Sequence, residues 1–157
     1  MTDKQIFEYL FQIAETSNDK GGVVTSCLVR NKNIISSAVS TNDGIHAEYA
    51  LLQNLREMHE IINSTDIVYT TVEPCGKRTP GKPGEKYGDC TTNLIEAGVK
   101  SIVYAAADPD ASKKTRYKFQ AAGVELIQVK DEEIIKEAVD IFNASAVDSN
   151  KHLPSEV

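Results

Sequence analysis

Long apolar runs, a surplus of basic residues and an even set of cysteines are all missing from this 157-residue chain. Apolar residues are interrupted every few positions, which excludes a helix with the roughly 20 apolar residues that a bilayer requires. The N-terminus carries the acidic Asp3 and no continuous apolar stretch, so no secretory leader is expected. Lys and Arg number 17 against 23 Asp and Glu, a formal charge of −6. That balance argues against a broad face for phosphate backbones. The three cysteines are expected to remain thiols in a reducing cytoplasm, the default compartment for such a chain. Spaced cysteines in that setting mark metal sites or nucleophiles more often than bridges. No repeat, linker or low-complexity segment divides the chain. One domain, large enough to bury a core without covalent staples, is expected over residues 1–146, with 147–157 as a frayed polar tail.

What is present is a regular alternation of patterns. Ile6, Phe7, Leu10, Phe11, Ile13 and Ala14 recur at helical spacing over residues 3–16. Residues 23–30 and 33–40 read as two strands joined by a tight turn at Asn31-Lys32. A second helix is predicted over 46–62, with Ala47, Ala50, Leu51, Leu55 and Met58 on one face, and a strand over 66–72. A helix runs from Cys90 and stops at Gly98. Strand 101–107, helix 111–122, strand 124–129 and helix 131–144 follow. From residue 46 onward helices and strands alternate, which implies a mainly parallel sheet covered on both faces, a three-layer α/β/α domain. The opening hairpin supplies an antiparallel edge.

Four residues in this frame carry chemistry. His46 and Glu48 open one helix, Cys75 follows a strand and Cys90 opens another helix. Zinc accepts imidazole nitrogen and thiolate sulfur, and a catalytic zinc keeps one of its four positions for water. One histidine and two cysteines leave that position free, and two thiolates balance the dication. Helix positions two apart point nearly opposite ways, so Glu48 is not expected on the metal beside His46. In the first turn, however, one side chain reaches the ion while the other reaches the water next to it, where a proton carrier belongs. The helix N-terminus favours negative charge, which predicts a lowered pKa at Cys90. The plainer alternative is a structural zinc pair or two buried thiols. Cys27, inside an apolar strand, reads as core, and His59 and His152 as solvated surface.

H-x-E followed by P-C-x-x-C is the signature of zinc-dependent base deaminases. The stretches "HAE" (46–48) and "PC" (74–75) fit it, and there the chain resembles the cytidine-deaminase superfamily. Residues 76–89 separate the two cysteines where the signature has two positions. That lengthening is similar to the riboflavin-pathway pyrimidine deaminases, the diaminohydroxyphosphoribosylaminopyrimidine deaminases, whose second cysteine is displaced by a loop. "VEPCGKRTP", "EAGVKSIVYAAADPD" (96–110) and "FQAAGVELI" (119–127) resemble segments of the same branch. The sequence departs from it at "NDKGGVVTSC" (18–27), which replaces an Asn-Pro and Val-Gly element, and at "ASKKTRYK" (111–118). No reductase domain is expected within these 157 residues, although bifunctional members carry one. The resemblance implies a five-stranded mixed sheet, a Zn2+ ion held by His46, Cys75 and Cys90, Glu48 as catalytic acid/base, and self-association into a homo-oligomer. The reaction implied is hydrolytic deamination of an aminopyrimidine, with the ribosyl-phosphate-bearing diaminopyrimidinone favoured. Cytosine, a nucleoside or nucleotide, guanine and transfer-RNA adenosine are the alternatives. A zinc-binding subunit without activity is the alternative of another kind, and Glu48 weighs against it.

The loop "EPCGKRTPGKPGEKYGDC" (73–90) is basic in an acidic chain. Lys77, Arg78, Thr79, Lys82 and Lys86, with Lys113, Lys114 and Arg116 on the neighbouring carboxyl edge, suggest a phosphate-bearing substrate. A solubilising insert explains the same charges. Tyr87, ahead of Tyr49 and Tyr69, is the candidate to stack on a base.

Overall fold

The computed structural model describes residues 1–111 and 113–154. Helix α1 (Asp3–Ile13) begins with a capping box in which Thr2 and Gln5 exchange side-chain and backbone hydrogen bonds. It tightens into a 3-10 turn over Ala14–Thr16. Strands β1 (Thr25–Arg30) and β2 (Asn33–Val39) pair antiparallel. Their turn places Asn31 and Lys32 at φ of 52° and 64°, the left-handed pair that a two-residue hairpin needs.

Helix α2 (Ala47–Glu57) leads to β3 (Ile67–Val72), a 3-10 turn at Pro83–Tyr87 and helix α3 (Cys90–Glu96). Strand β4 (Ser101–Ala106), α4 (Lys113–Ala121), β5 (Glu125–Gln128) and α5 (Glu132–Ser145) complete the regular elements. The sheet runs β2-β1-β3-β4-β5, with β1 antiparallel to both neighbours and β3, β4 and β5 parallel. It is the predicted mixed five-stranded sheet. Among the described residues, no helix is long and apolar enough to cross a membrane.

Alternate strand residues face opposite layers. Cys27, Val29 and Val72 pack with Phe7 and Leu10 of α1 and Ile135 and Phe142 of α5. Leu28, Val68 and Ile102 pack with Leu51 and Leu55 of α2, Leu94 of α3 and Phe119 of α4. Cys27 is fully buried, as its strand position predicts.

Two expectations need correction. Helix α2 stops at Glu57, short of residue 62, because His59 turns left-handed at φ 56°. Histidine tolerates that region better than most residues. Met58 is accordingly half-exposed and not part of the apolar face. The chain after α5 is also not frayed as far as residue 154. Leu153 is 4% exposed and joins the α1–α5 core. The stop at Gly98 (φ 88°) stands as predicted, with Val99 N–H closing onto the Leu94 carbonyl.

The site is positioned by the parallel pair. Val72 of β3 and Ala106 of β4 are in register, and Glu73 N–H extends the ladder onto the Ala106 carbonyl. The loops that follow both strands therefore leave the same edge of the sheet. Beside that edge Gly22, at φ 115°, lies so close to Phe142 that a Cβ would sit 2.3 Å from its ring. Gly22→Ala is expected to destabilise the chain by about 1–3 kcal/mol through overpacking, with left-handed strain in addition. The urea midpoint should fall at unchanged slope; a wild-type midpoint would contradict this packing.

Candidate metal and active site

His46 is the extended N-cap of α2, at φ −76° and ψ 155°. Its Nδ1 lies 3.3 Å from Cys90 Sγ and 3.5 Å from Cys75 Sγ. The three ligand atoms all fall within 4.8 Å of one another. A tetrahedral zinc with bonds of about 2.0–2.1 Å to nitrogen and 2.3 Å to sulfur implies N···S edges of roughly 3.5 Å. The residues present fit zinc on both donor type and spacing.

The start of α3 holds Cys75. Cys90 N–H donates to Cys75 Sγ at 3.3 Å, and Thr91 donates its N–H and hydroxyl to the Cys75 carbonyl at 3.1 and 2.8 Å. Asp89 caps the helix through Thr92 N–H. This corrects the expectation for Cys90. Donation from the Cys90 thiol, the neighbouring His46 and the Cys90 N–H hold the Cys75 thiol well below its usual range. The Cys90 thiol is pushed up by that same bond to Cys75, by full burial and by the charge of Glu48. The helix terminus thus serves the sulfur of Cys75.

Glu48, in the first turn of α2, is 3% exposed. Its Oε1 accepts hydrogen bonds from the hydroxyls of Ser26 at 3.1 Å and Thr70 at 3.3 Å. Ser26 and Thr70 face each other in the β1–β3 register. Sequence reasoning missed both. Their signal is a small hydroxyl residue inside each of two apolar strands, where a buried polar group requires a partner.

A cavity of about 500 Å3 opens beside these residues, within the range of small-molecule sites. His46, Glu48 and Cys75 line it together with Lys77, Arg78, Thr79 and Lys82 of the basic loop. Arg78 staples that loop: Nε donates to the Gly88 carbonyl at 2.7 Å and Nη1 to the Gly44 carbonyl at 2.9 Å. The remaining basic candidates are elsewhere. Lys113, Lys114 and Arg116 do not line the cavity. Arg116 instead grips the buried Glu73 through Nε and Nη2 at 2.9 and 3.0 Å. Lys86 lies 5.1 Å over the Tyr87 ring, and Tyr87 packs on Tyr49 at 4.9 Å. That ring therefore meets protein on both counts and is not among the cavity residues. Tyr69 is core, with its hydroxyl donating to Asp3. Asp108, Asp110, Asp148 and Lys151 also line the cavity, and none of them stood out by charge alone.

The profile of the cytidine and deoxycytidylate deaminase zinc-binding region matches residues 1–106. No match among curated proteins reaches significance. Among solved structures, the chain is similar to a diaminohydroxyphosphoribosylaminopyrimidine deaminase/5-amino-6-(5-phosphoribosylamino)uracil reductase from Thermotoga maritima. That likeness has 25% identity and a TM-score of 0.63, over 87% of this chain and 40% of that one. The chain thus spans well under half the length of the bifunctional protein. The Aspergillus oryzae Rib2 deaminase matches at 21% identity and TM-score 0.67, over 90% of this chain and 93% of that one. The dCMP deaminase of cyanophage S-TIM5, solved with dCMP and dUMP, matches at 20% identity and TM-score 0.63, over 82% and 99%. The last two identities show a shared fold.

The metal geometry is checked by composition. Purified protein is expected to carry about one zinc per chain, and Cys90→Ala or His46→Ala to lose most of it. Full zinc occupancy in both variants would place the metal elsewhere.

Proposed function

Because the chain belongs to the cytidine and deoxycytidylate deaminase family of zinc-binding proteins, we propose that it hydrolyses the exocyclic amino group of a small aminopyrimidine. The ribosyl-phosphate-bearing diaminopyrimidinone of riboflavin synthesis is the favoured substrate. The observation that carries the reaction is Glu48, a buried carboxylate held beside three zinc-binding atoms and absent from their coordination geometry. A purely structural metal has no use for such a group.

Zinc, when bound by His46, Cys75 and Cys90, supplies the Lewis acidity that makes water acidic near neutral pH. Ser26 and Thr70 anchor Oε1 of Glu48, which leaves Oε2 as the proton carrier. Glu48 takes a proton from the attacking water and passes it to the ring nitrogen next to the amino-bearing carbon. The water oxygen bonds to that carbon. Glu48 then moves the second water proton onto the amino nitrogen, the C–N bond breaks, and ammonia leaves a ring carbonyl behind. Two hydrogens and one oxygen enter, and one ammonia departs.

The substrate preference rests on two observations. The 25% likeness to the Thermotoga protein lies along most of this chain. The cavity also presents Lys77 and Lys82, which form no ion pair among the described residues, alongside two buried atoms without a partner, Arg78 Nη2 and Thr41 Oγ1. Such donors suit an oxygen-rich ligand, and arginine suits phosphate in particular.

Ammonia release by the zinc-loaded protein, screened over phosphorylated and unphosphorylated aminopyrimidines and purines, tests this reading. The ribosyl phosphate should react with the highest kcat/KM; reaction of free bases alone would overturn the phosphate assignment. Glu48→Ala should retain zinc and lose turnover by at least about 100-fold. Substantial activity in that variant would remove Glu48 from the chemistry.

A further inference from the structure

Beyond α5 the chain turns back along the rim of the cavity and is fastened at both ends. Asp148 N–H donates to the Lys20 carbonyl at 2.9 Å. At the other end Asn143 clips Leu153, its Oδ1 accepting Leu153 N–H at 2.7 Å and its Nδ2 donating to the Leu153 carbonyl at 3.0 Å. Ser149 Oγ accepts Lys151 N–H at 3.0 Å and shapes the turn between these anchors. Lys151 Nζ then lies 2.9 Å from Asp108 and 3.1 Å from Asp110.

Lys151 lines the same cavity as His46 and Glu48. An ammonium has three N–H donors, and the two carboxylates take two of them. The third has no protein partner among the described residues, on a side chain that lines the cavity. Two aspartates outweigh one ammonium, and Asp148 adds a further carboxylate to the lining. This wall therefore disfavours phosphate. It suits an uncharged acceptor, while Lys77 and Lys82, without an ion pair among the described residues, are placed to meet an anion.

Resting on the deaminase reading for the reaction itself, we propose that Lys151 is a specificity-determining residue. Held by Asp108 and Asp110, it donates its remaining N–H to a hydroxyl or carbonyl on a part of the substrate away from the reacting ring carbon. Asn143 acts through it, as the positioning residue that keeps the segment seated.

The test compares cytosine, cytidine and the diaminopyrimidinone ribosyl phosphate on the full zinc-loaded chain. Lys151→Met should raise KM for the sugar-bearing substrates about tenfold to a hundredfold. Its effect on the KM for the free base should be several-fold smaller than that on the sugar-bearing substrates. Lys151→Arg should recover part of the loss, and Asn143→Ala should reproduce it. Equal KM changes for base and sugar-bearing substrate, or none, overturn the proposal while leaving the deaminase reading intact. Trypsin cleavage after Lys151 gives a readout independent of turnover and of how the variants fold. The sugar-bearing ligands should slow that cut in the wild-type protein, and cytosine should not. Protection without ammonia release would refute the deaminase reading and keep Lys151 as a ligand contact; absence of protection by every sugar-bearing ligand would overturn the proposal.

Discussion

One imidazole nitrogen and two sulfurs must meet within a single coordination sphere, and three separate elements bring them there. His46 arrives at the N-cap of α2, Cys75 on the exit from β3 and Cys90 as the first residue of α3. Each is a place where a chain changes direction and has backbone groups to spare. The α3 terminus uses its spare N–H groups on Cys75, through the sulfur and the carbonyl together. That arrangement ties Cys75 to the start of α3. It also explains why the thiols divide their titration, with the first thiolate on Cys75 and the proton retained at the buried Cys90.

The carboxylate depends on the sheet in the same way. A glutamate carboxyl group at 3% exposure is costly to bury unless hydrogen bonds compensate it. The register of β1 against β3 sets Ser26 opposite Thr70, and both hydroxyls reach one oxygen of Glu48. A slip of one residue would turn these hydroxyls to the other face and put apolar side chains against the carboxylate. Core packing, through Leu28 on one side and Cys27 and Val29 on the other, fixes the register and so fixes the proton carrier.

Most of the architecture was legible because periodicity and capping are local. The Asn31-Lys32 turn, the Gly98 stop and the alternation of helices with strands each need only a few consecutive residues. The metal set was legible because few residue types bind zinc. Partnerships across the chain were not. A guanidinium in the sequence reads alike whether it is free or committed, and Arg116 proved bound to Glu73, 43 positions away, while Arg78 is a staple for its own loop. Lys86 sits over the Tyr87 ring, and Tyr87 packs on Tyr49. The tail misled for the same reason: its polar composition concealed the single buried Leu153 and the clip from Asn143. The end of α2 was overextended because no glycine or proline marks it; His59 supplies the left-handed turn instead.

X-ray absorption at the zinc edge is the most direct examination of the three-ligand site. The spectrum of the zinc-loaded protein should fit two sulfurs near 2.3 Å and two lighter atoms, one imidazole nitrogen and one solvent oxygen, near 2.0–2.1 Å. A shell of four sulfurs, or one of nitrogen and oxygen alone, would contradict the site described.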